Sequence, residues 1–241
     1  MKIVVPFSES PEGKKAQVET MFDSISGKYD LMNRLITFGI DKSWRQKAIK
    51  LLKKDSPKII LDVATGTADF AIAALELKPE KIIGVDISNN MLHVGREKIL
   101  NKGAQGIIEL IQADSENLPY PDNFFDAATV GYGVRNFEDL MRGLQEIHRV
   151  LKPKGRLVIL ETSQPKGNFA RFVVQLHAKF VVKTLGKLIS RNDKAYEYLP
   201  ESAKHFPCGD DFVEILNKCG FKETTCTPLF LSVSSIYQAK K

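Results

Sequence analysis

Four apolar stretches of this chain run directly into residues that can hold or turn a ligand. KIILDV (58–63) leads into ATGTAD, KIIGVD (81–86) ends on Asp86, GIIELIQAD (106–114) ends on Asp114, and FDAATVGYG (125–133) leads into VRNFED. In the first turn Gly66 lies between the small residues Ala64 and Ala68, and such a turn lets backbone N–H groups approach an anion or carboxylate closely. A purely structural turn would read the same. Asp86 stands 20 residues beyond Gly66 (86 − 66), where an acidic side chain at a strand end can accept both hydroxyls of a ribose. The pair points to an adenosine cofactor. Asp114 in QADSENLPYPDNFFD is placed to accept from an exocyclic adenine amine, with a cap on its own turn as the bland alternative. The full G-x-G-x-x-G favoured by hydride-transfer enzymes is missing from DVATGTADFA.

These residues need a frame. Each strand-like run is followed by a segment with helical apolar spacing: FAIAALEL, NNMLHVGREKILNKG, and FEDLMRGLQEIHRVLK before a fifth strand, GRLVILE (155–161). The alternation predicts a parallel, doubly wound α/β sheet with ligands at the carboxyl ends of its strands. DDFVEILNKCG reads as a helix closed by Gly220, and FKETTCT and FLSVSSIYQAKK read as two antiparallel closing strands. Ahead of the sheet, FDSISGKYDLMNRLITFGIDKSWR (22–45) reads as a helical pair.

The 241 residues, 43% hydrophobic, suffice for one large domain, and no repeat or linker divides them. No signal-peptide pattern and no run near the roughly 20 apolar residues of a membrane span is present. A cytoplasmic protein is expected. Cys208, Cys219 and Cys226 are odd in number without paired ligand spacing, so reduced thiols and no metal site are expected. The charge of +6 is unevenly placed. Between Glu161 and Asp193 there is no acidic residue, while Lys166, Arg171, Lys179, Lys183, Lys187 and Arg191 fall there. No RNA-binding motif accompanies them, and the aromatics interleave with apolar rather than basic residues, so nucleic acid is not an expected partner.

LDVATGTADFA, GVDISNNML, QADSENLPYPDNFFD and RVLKPKGRLVILE together resemble the class I S-adenosylmethionine-dependent methyltransferases. YDLMNRLITFGIDKSWR, GVRNFEDL, RVLKPKGRLVILETS and YEYLPESAKHFP narrow the resemblance to the ubiquinone/menaquinone biosynthesis C-methyltransferases, over residues from about 22 to 207. The resemblance implies a Rossmann-like, seven-stranded, mostly parallel sheet with an antiparallel C-terminal strand. It implies a single methyltransferase domain over 1–241: a helical cap (1–55), a cofactor-binding core (56–163), a helical substrate or lid insertion (164–207) and a closing helix and strands (208–241). S-adenosylmethionine would be held by Gly66, Thr67, Asp86, Met91, Asp114 and Ser115. Tyr29, Asp30, Asn33, Tyr196 and Tyr198 are the implied substrate and lid contacts. The chain departs from the family pattern in having Asp41 for a histidine, Lys154 for a second glycine, Gly131 often for a serine, and Ser232 for a glycine.

The implied reaction is C-methylation of a polyprenyl quinol, demethylmenaquinol first. Alternatives are the benzoquinol of ubiquinone biosynthesis or a small molecule methylated on oxygen or nitrogen, with an RNA-binding methyltransferase last. A phenol-like quinol of pKa about 10 costs about 4 kcal/mol to ionise at pH 7, so the site must supply a base, a cation or hydrogen bonds. Arg135 is the leading candidate for stabilising the oxyanion or orienting a water. Asn136 is either a second donor or the cap of the following helix, and Tyr132 would shape the pocket floor. His177, on the basic helix, and His205 read as packing or surface residues as readily as functional ones. Such a substrate is membrane-borne. Phe169, Phe172, Val173, Leu176, Phe180 and Leu188 recur at helical spacing among cations, which suits a tail lid or peripheral contact with the anionic inner face of a membrane. A homodimer is a further expected association.

Overall fold

The computed structural model describes residues 4–165, 167–168, 171–172 and 193–241, with the side chains of 193, 194 and 196 excepted. The expectations for Lys166, Phe169, Val173, Leu176, His177, Lys179, Phe180, Lys183, Lys187, Leu188, Arg191 and the Tyr196 side chain lie outside the described residues. Among those described, the strands are β1 (Ile59–Val63), β2 (Lys81–Asp86), β3 (Ile108–Gln112), β4 (Phe125–Gly131), β5 (Leu151–Thr162), β6 (Lys222–Leu229) and β7 (Ser234–Lys240). The helices are α1 (Lys14–Thr37), α2 (Ile40–Lys50), α3 (Asp69–Ala74), α4 (Asn89–Asn101), α5 (Leu140–Val150), α6 (Asp193–His205) and α7 (Asp210–Lys218).

The seven strands form one sheet in the order β3-β2-β1-β4-β5-β7-β6. All the pairings from β3 to β5 are parallel, and β7 runs antiparallel to both β5 and β6. Because β1 leads outward to β2 on one side and is flanked by β4 on the other, the chain reverses its direction of travel there. A crevice opens at the carboxyl ends of β1 and β4, where such sheets bind ligands.

Strands buried on both faces carry continuous apolar runs, which is why IILDV and KIIGVD read as they do. One face packs Leu61, Val63 and Val85 against Leu144 and Ile147 of α5 and Phe212 and Leu216 of α7. The other packs Ile60, Ile82 and Ile108 against Trp44, Ala48 and Ile49 of α2, Phe70 of α3 and Leu92 of α4. A smaller cluster joins Val18, Met21 and Ile25 of α1 to Ala195 and Tyr198 of α6. The lone tryptophan is therefore core, and the cysteines are free thiols.

The sequence misplaces two boundaries. The helix expected from FEDL through RVLK begins at Leu140, where the Asp139 side chain accepts from the Arg142 N–H at 3.1 Å. Asp139 thus takes the capping role considered for Asn136. The helix ends at Val150 because Leu151 is already extended (φ −70°, ψ 141°) at the start of β5. Likewise FLS folds into a tight turn before β7, with Leu231 and Ser232 left-handed at φ 50° and 61°.

Candidate functional site

The β1 turn is built to present backbone. Ala64, Gly66 and Ala68 are all left-handed (φ 50°, 55° and 64°), a conformation that penalises any large side chain. Beneath it the fully buried Asp62 accepts from Thr65 Oγ1 at 2.6 Å, from Ala71 N–H at 3.1 Å and from Thr129 Oγ1 at 2.7 Å. Burial pushes the Asp62 carboxyl up to about 6 against those hydrogen bonds. A Cβ added at Gly66 would stand 3.3 Å from Met91 Cε, so the glycine keeps a hollow open between turn and methionine.

Into that hollow faces Asp86. Its Oδ2 accepts from Gly66 N–H at 2.8 Å and its Oδ1 from Ser88 N–H at 2.9 Å. Ile87 N–H also bonds this carboxyl, and the acceptor capacity that remains on its two oxygens suits a ribose diol. Burial raises this carboxyl also, to about 6. Asp114 lies two residues past β3. Its Oδ1 accepts from Glu116 N–H at 2.9 Å, so the turn-holding alternative is real, while Oδ2 is paired with Lys15 Nζ at 2.7 Å. Gly66, Asp86, Met91, Asp114 and Ser115 line one cleft together with Tyr29, Tyr132 and Asn136. Acceptors for two hydroxyls and an amine around a small-residue turn fit S-adenosylmethionine.

Thr67 sits differently. Its hydroxyl donates to Asp30 Oδ1 at 2.6 Å and accepts from Lys98 Nζ at 3.1 Å, and it borders a smaller adjoining recess with Arg45 and Asp62. Lys98 also pairs with Asp30 at 2.7 Å and with Asp69. Asp30 is thus a clasp between α1 and the first turn. Further along α1, Asp23 Oδ1 accepts from Ser88 Oγ at 2.6 Å, and Lys15 also reaches Glu116 at 3.2 Å. Lys14 Nζ donates to the carbonyls of Arg135 and Phe137 at 3.0 and 2.6 Å, and burial lowers it to about 8. One helix is therefore fastened to the turns after β1, β2, β3 and β4.

At the β4 turn Tyr132 is left-handed (φ 58°), with its hydroxyl 3.2 Å from Ser234 Oγ. A bulky residue held there is strained, as residues at functional sites often are. Arg135 does not line the cleft. Its Nη1 donates to Tyr132 O at 2.7 Å and to Glu161 Oε1 at 2.6 Å, and the pair is buried. Asn136 Oδ1 accepts from Tyr198 Oη at 3.1 Å. Tyr29 lines the cleft beside Asn33, which hydrogen-bonds its hydroxyl. Burial raises the phenols of Tyr29, Tyr132 and Tyr198, the last to about 12.

The departures from the family pattern acquire physical readings. Asp41 is buried, accepting from Arg45 Nη1 at 2.5 Å and from Thr37 Oγ1 at 2.8 Å, so it ties the α1–α2 elbow. Gly131 is required by Phe70, whose Cδ2 would lie 2.6 Å from an added Cβ. Lys154 and Ser232, standing where the family has glycines, both adopt φ above 60°. Lys15, Lys98 and Glu161 escaped the sequence reading. No spacing signals a lysine that crosses to a residue about a hundred positions away, but Glu161 closes GRLVILE as Asp86 closes KIIGVD, and the same strand-end rule finds it.

The model of the ubiE/COQ5 methyltransferase family matches residues 11–241. A demethylmenaquinone methyltransferase of Bacteroides fragilis is 45% identical over 240 residues, covering 99% of this chain and 97% of that protein. A ubiquinone/menaquinone biosynthesis C-methyltransferase of Geotalea daltonii is 39% identical over 237 residues, covering 98% of this chain and all of that one. Among solved structures, a SAM-dependent methyltransferase of Thermotoga maritima described as a possible histamine N-methyltransferase superposes with a TM-score of 0.61 at 20% identity, covering 92% and 99% of the two chains.

Proposed function

Because the chain belongs to the ubiE/COQ5 methyltransferase family, we propose that it transfers a methyl group from S-adenosylmethionine to a ring carbon of a polyprenyl quinol, demethylmenaquinol in the first instance. The name of the Bacteroides fragilis relative supports the naphthoquinol, and that of the Geotalea daltonii relative keeps the benzoquinol as an alternative. The observation that carries the reading is the convergence of Gly66, Asp86 and Asp114 on one cleft that Tyr132 and Asn136 also line.

When bound, S-adenosylmethionine supplies an electrophilic methyl group on a sulfonium. The protein's part is the rest. Asp86 would hold the ribose and Asp114 with Ser115 the adenine, while the Gly66 turn would offer backbone N–H groups and room for close approach. The quinol lies against Tyr132 and Tyr29, under α1, in a site that keeps water from the reacting carbon. Holding that carbon in line contributes several kcal/mol. Arg135, always protonated, cannot remove the quinol's proton, and from its buried pair with Glu161 behind Tyr132 its charge acts on the site without touching the quinol oxygen.

The polyprenyl tail requires access to a membrane. No helix among the described residues is long and apolar enough to cross one, and we take the contact to be peripheral. Phe38, at the α1–α2 elbow, is 72% exposed and Phe230, in the turn before β7, is 59% exposed. Exposed Arg171 and the lysines beyond it add cationic character suited to anionic lipid. Turnover measured on reduced demethylmenaquinone, a demethoxy-benzoquinol, the oxidised quinones and simple phenols tests the substrate reading. Preference for reduced naphthoquinol is expected; equal use of phenols would replace it with the small-molecule alternative.

A further inference from the structure

Glu161 is fully buried, and its two oxygens are treated unequally. Oε1 accepts three hydrogen bonds: from Arg135 Nη1 at 2.6 Å, from Thr162 N–H at 2.7 Å and from Thr162 Oγ1 at 3.1 Å. Oε2 accepts none, and on the facing partner Arg135 Nε–H donates to nothing, among the described residues. A buried polar atom left bare is costly, and more so on a charged group, so an orphan acceptor and an orphan donor on one ion pair call for a reason. One hydroxyl or water that accepts from Nε–H and donates to Oε2 would satisfy both.

The pair lies one residue behind the wall of the cleft. Arg135 is bonded to the Tyr132 carbonyl, and Tyr132 and Asn136 line the cleft itself. The ionisable groups around it come from every packed element: Tyr132 after β4, Tyr29 and Lys14 of α1, and Tyr198 of α6. Burial has raised all three phenols, and the Lys14 ammonium, a donor without a lone pair, gives two of its three N–H groups to carbonyls. Among these groups only the carboxylate combines basicity with a vacant lone pair.

We propose that Glu161 Oε2 is the proton acceptor for the quinol hydroxyl, reached through one water that Arg135 Nε–H holds in place. The inference rests on the quinol reading above. The quinol O–H bond breaks with its electron pair staying on the oxygen. The water passes its own proton to Oε2 as it takes the substrate's. After methylation the ring carbon loses its hydrogen as a proton, the quinol oxygen recovers one, and Glu161 returns to the carboxylate by releasing one to solvent, the single proton the overall reaction yields. Glu161 is thus a positioning and proton-holding residue that acts through water.

The test is Glu161→Gln, with Glu161→Asp beside it, assayed on reduced naphthoquinols of graded phenol acidity and across pH. S-adenosylhomocysteine affinity and thermal midpoint are measured in parallel. Expected are S-adenosylhomocysteine affinity within about threefold of the parent and kcat at least 100-fold lower for Glu161→Gln. At saturating S-adenosylmethionine the pH dependence of kcat should differ between the parent and that variant. The deficit should shrink as the quinol becomes more acidic, because an ionised substrate needs no base. A deficit independent of substrate acidity, an unchanged pH profile, or near-parental turnover overturns the proposal and leaves a structural ion pair with a buried water. If Glu161→Gln does not fold, the same substrate series on Glu161→Asp decides the matter by the same slope. Failure of the unmutated protein to methylate any quinol would instead count against the functional reading itself.

Discussion

At the level of single residues, function rests on buried charges. The Asp86 carboxyl is raised by burial to about 6, and hydroxyls that hydrogen-bond its charged form must compete with a proton. Ligand and proton therefore oppose each other: affinity is full above about pH 6 and falls below it, approaching tenfold per unit. Calorimetric titration with S-adenosylhomocysteine between pH 5 and 7.5 checks this, and a flat affinity would show that Asp86 does not hold the ribose. Arg135→Ala leaves Glu161 buried without its cation, at about 3–5 kcal/mol. Arg135→Met with Glu161→Leu should recover most of that stability in denaturant titrations yet remain without turnover, whereas cofactor affinity stays near parental. A left-handed backbone at Lys154 and Ser232 costs about 1–2 kcal/mol, less the roughly 0.5–1 kcal/mol by which glycine favours the unfolded chain. Lys154→Gly and Ser232→Gly should each raise the melting midpoint by about 2 °C; a fall would mean their side chains stabilise more than the strain costs.

The element that decides the site is α1. It is fixed by Lys15 to Asp114, by Asp23 to Ser88, by Asp30 to Lys98 and Thr67, and by Lys14 to the Arg135 carbonyl. These latches are mostly polar and part-exposed, and they add to the packing of Val18, Met21 and Ile25 against α6, so the helix is a cover held by both kinds of contact. Lys98→Met removes the cation shared by Asp30 and Asp69. Amide exchange along the second half of α1 should then quicken about 5–30-fold, the equivalent of 1–2 kcal/mol, with β1 and β4 unchanged. Uniform quickening across the sheet would make Lys98 a core residue rather than a latch. The helical cap and Asp30 were legible from the sequence, but the partners of its latches were not. YDLMN announces polar residues in a helical leader, but which turn each one reaches depends on a crossing geometry that no local pattern encodes. The strands were legible, because parallel strands buried on both faces must be apolar along their length. The α5 cap was not, since Asn136 and Asp139 have similar capping propensity and only the tight turn at Val134–Asn136 separates them.

Across the whole molecule, a parallel sheet puts four turns at one edge, and the chain has placed its chemistry there. Asp86 and Asp114 could be read from sequence because they close apolar runs, and Glu161 obeys the same rule at β5. Arg135 was found in the right turn but not in the right posture, because its burial beside Glu161 depends on β4–β5 pairing. Everything proposed for this cleft presupposes methyl transfer to a ring carbon, which can be observed outright. The protein is incubated with methyl-labelled S-adenosylmethionine and reduced demethylmenaquinone, and the label is located in the product by fragmentation mass spectrometry. One labelled methyl is expected on the quinone ring carbon, dependent on prior reduction. Label on a quinol oxygen, or none on the quinol with incorporation into RNA, would contradict ring-carbon transfer.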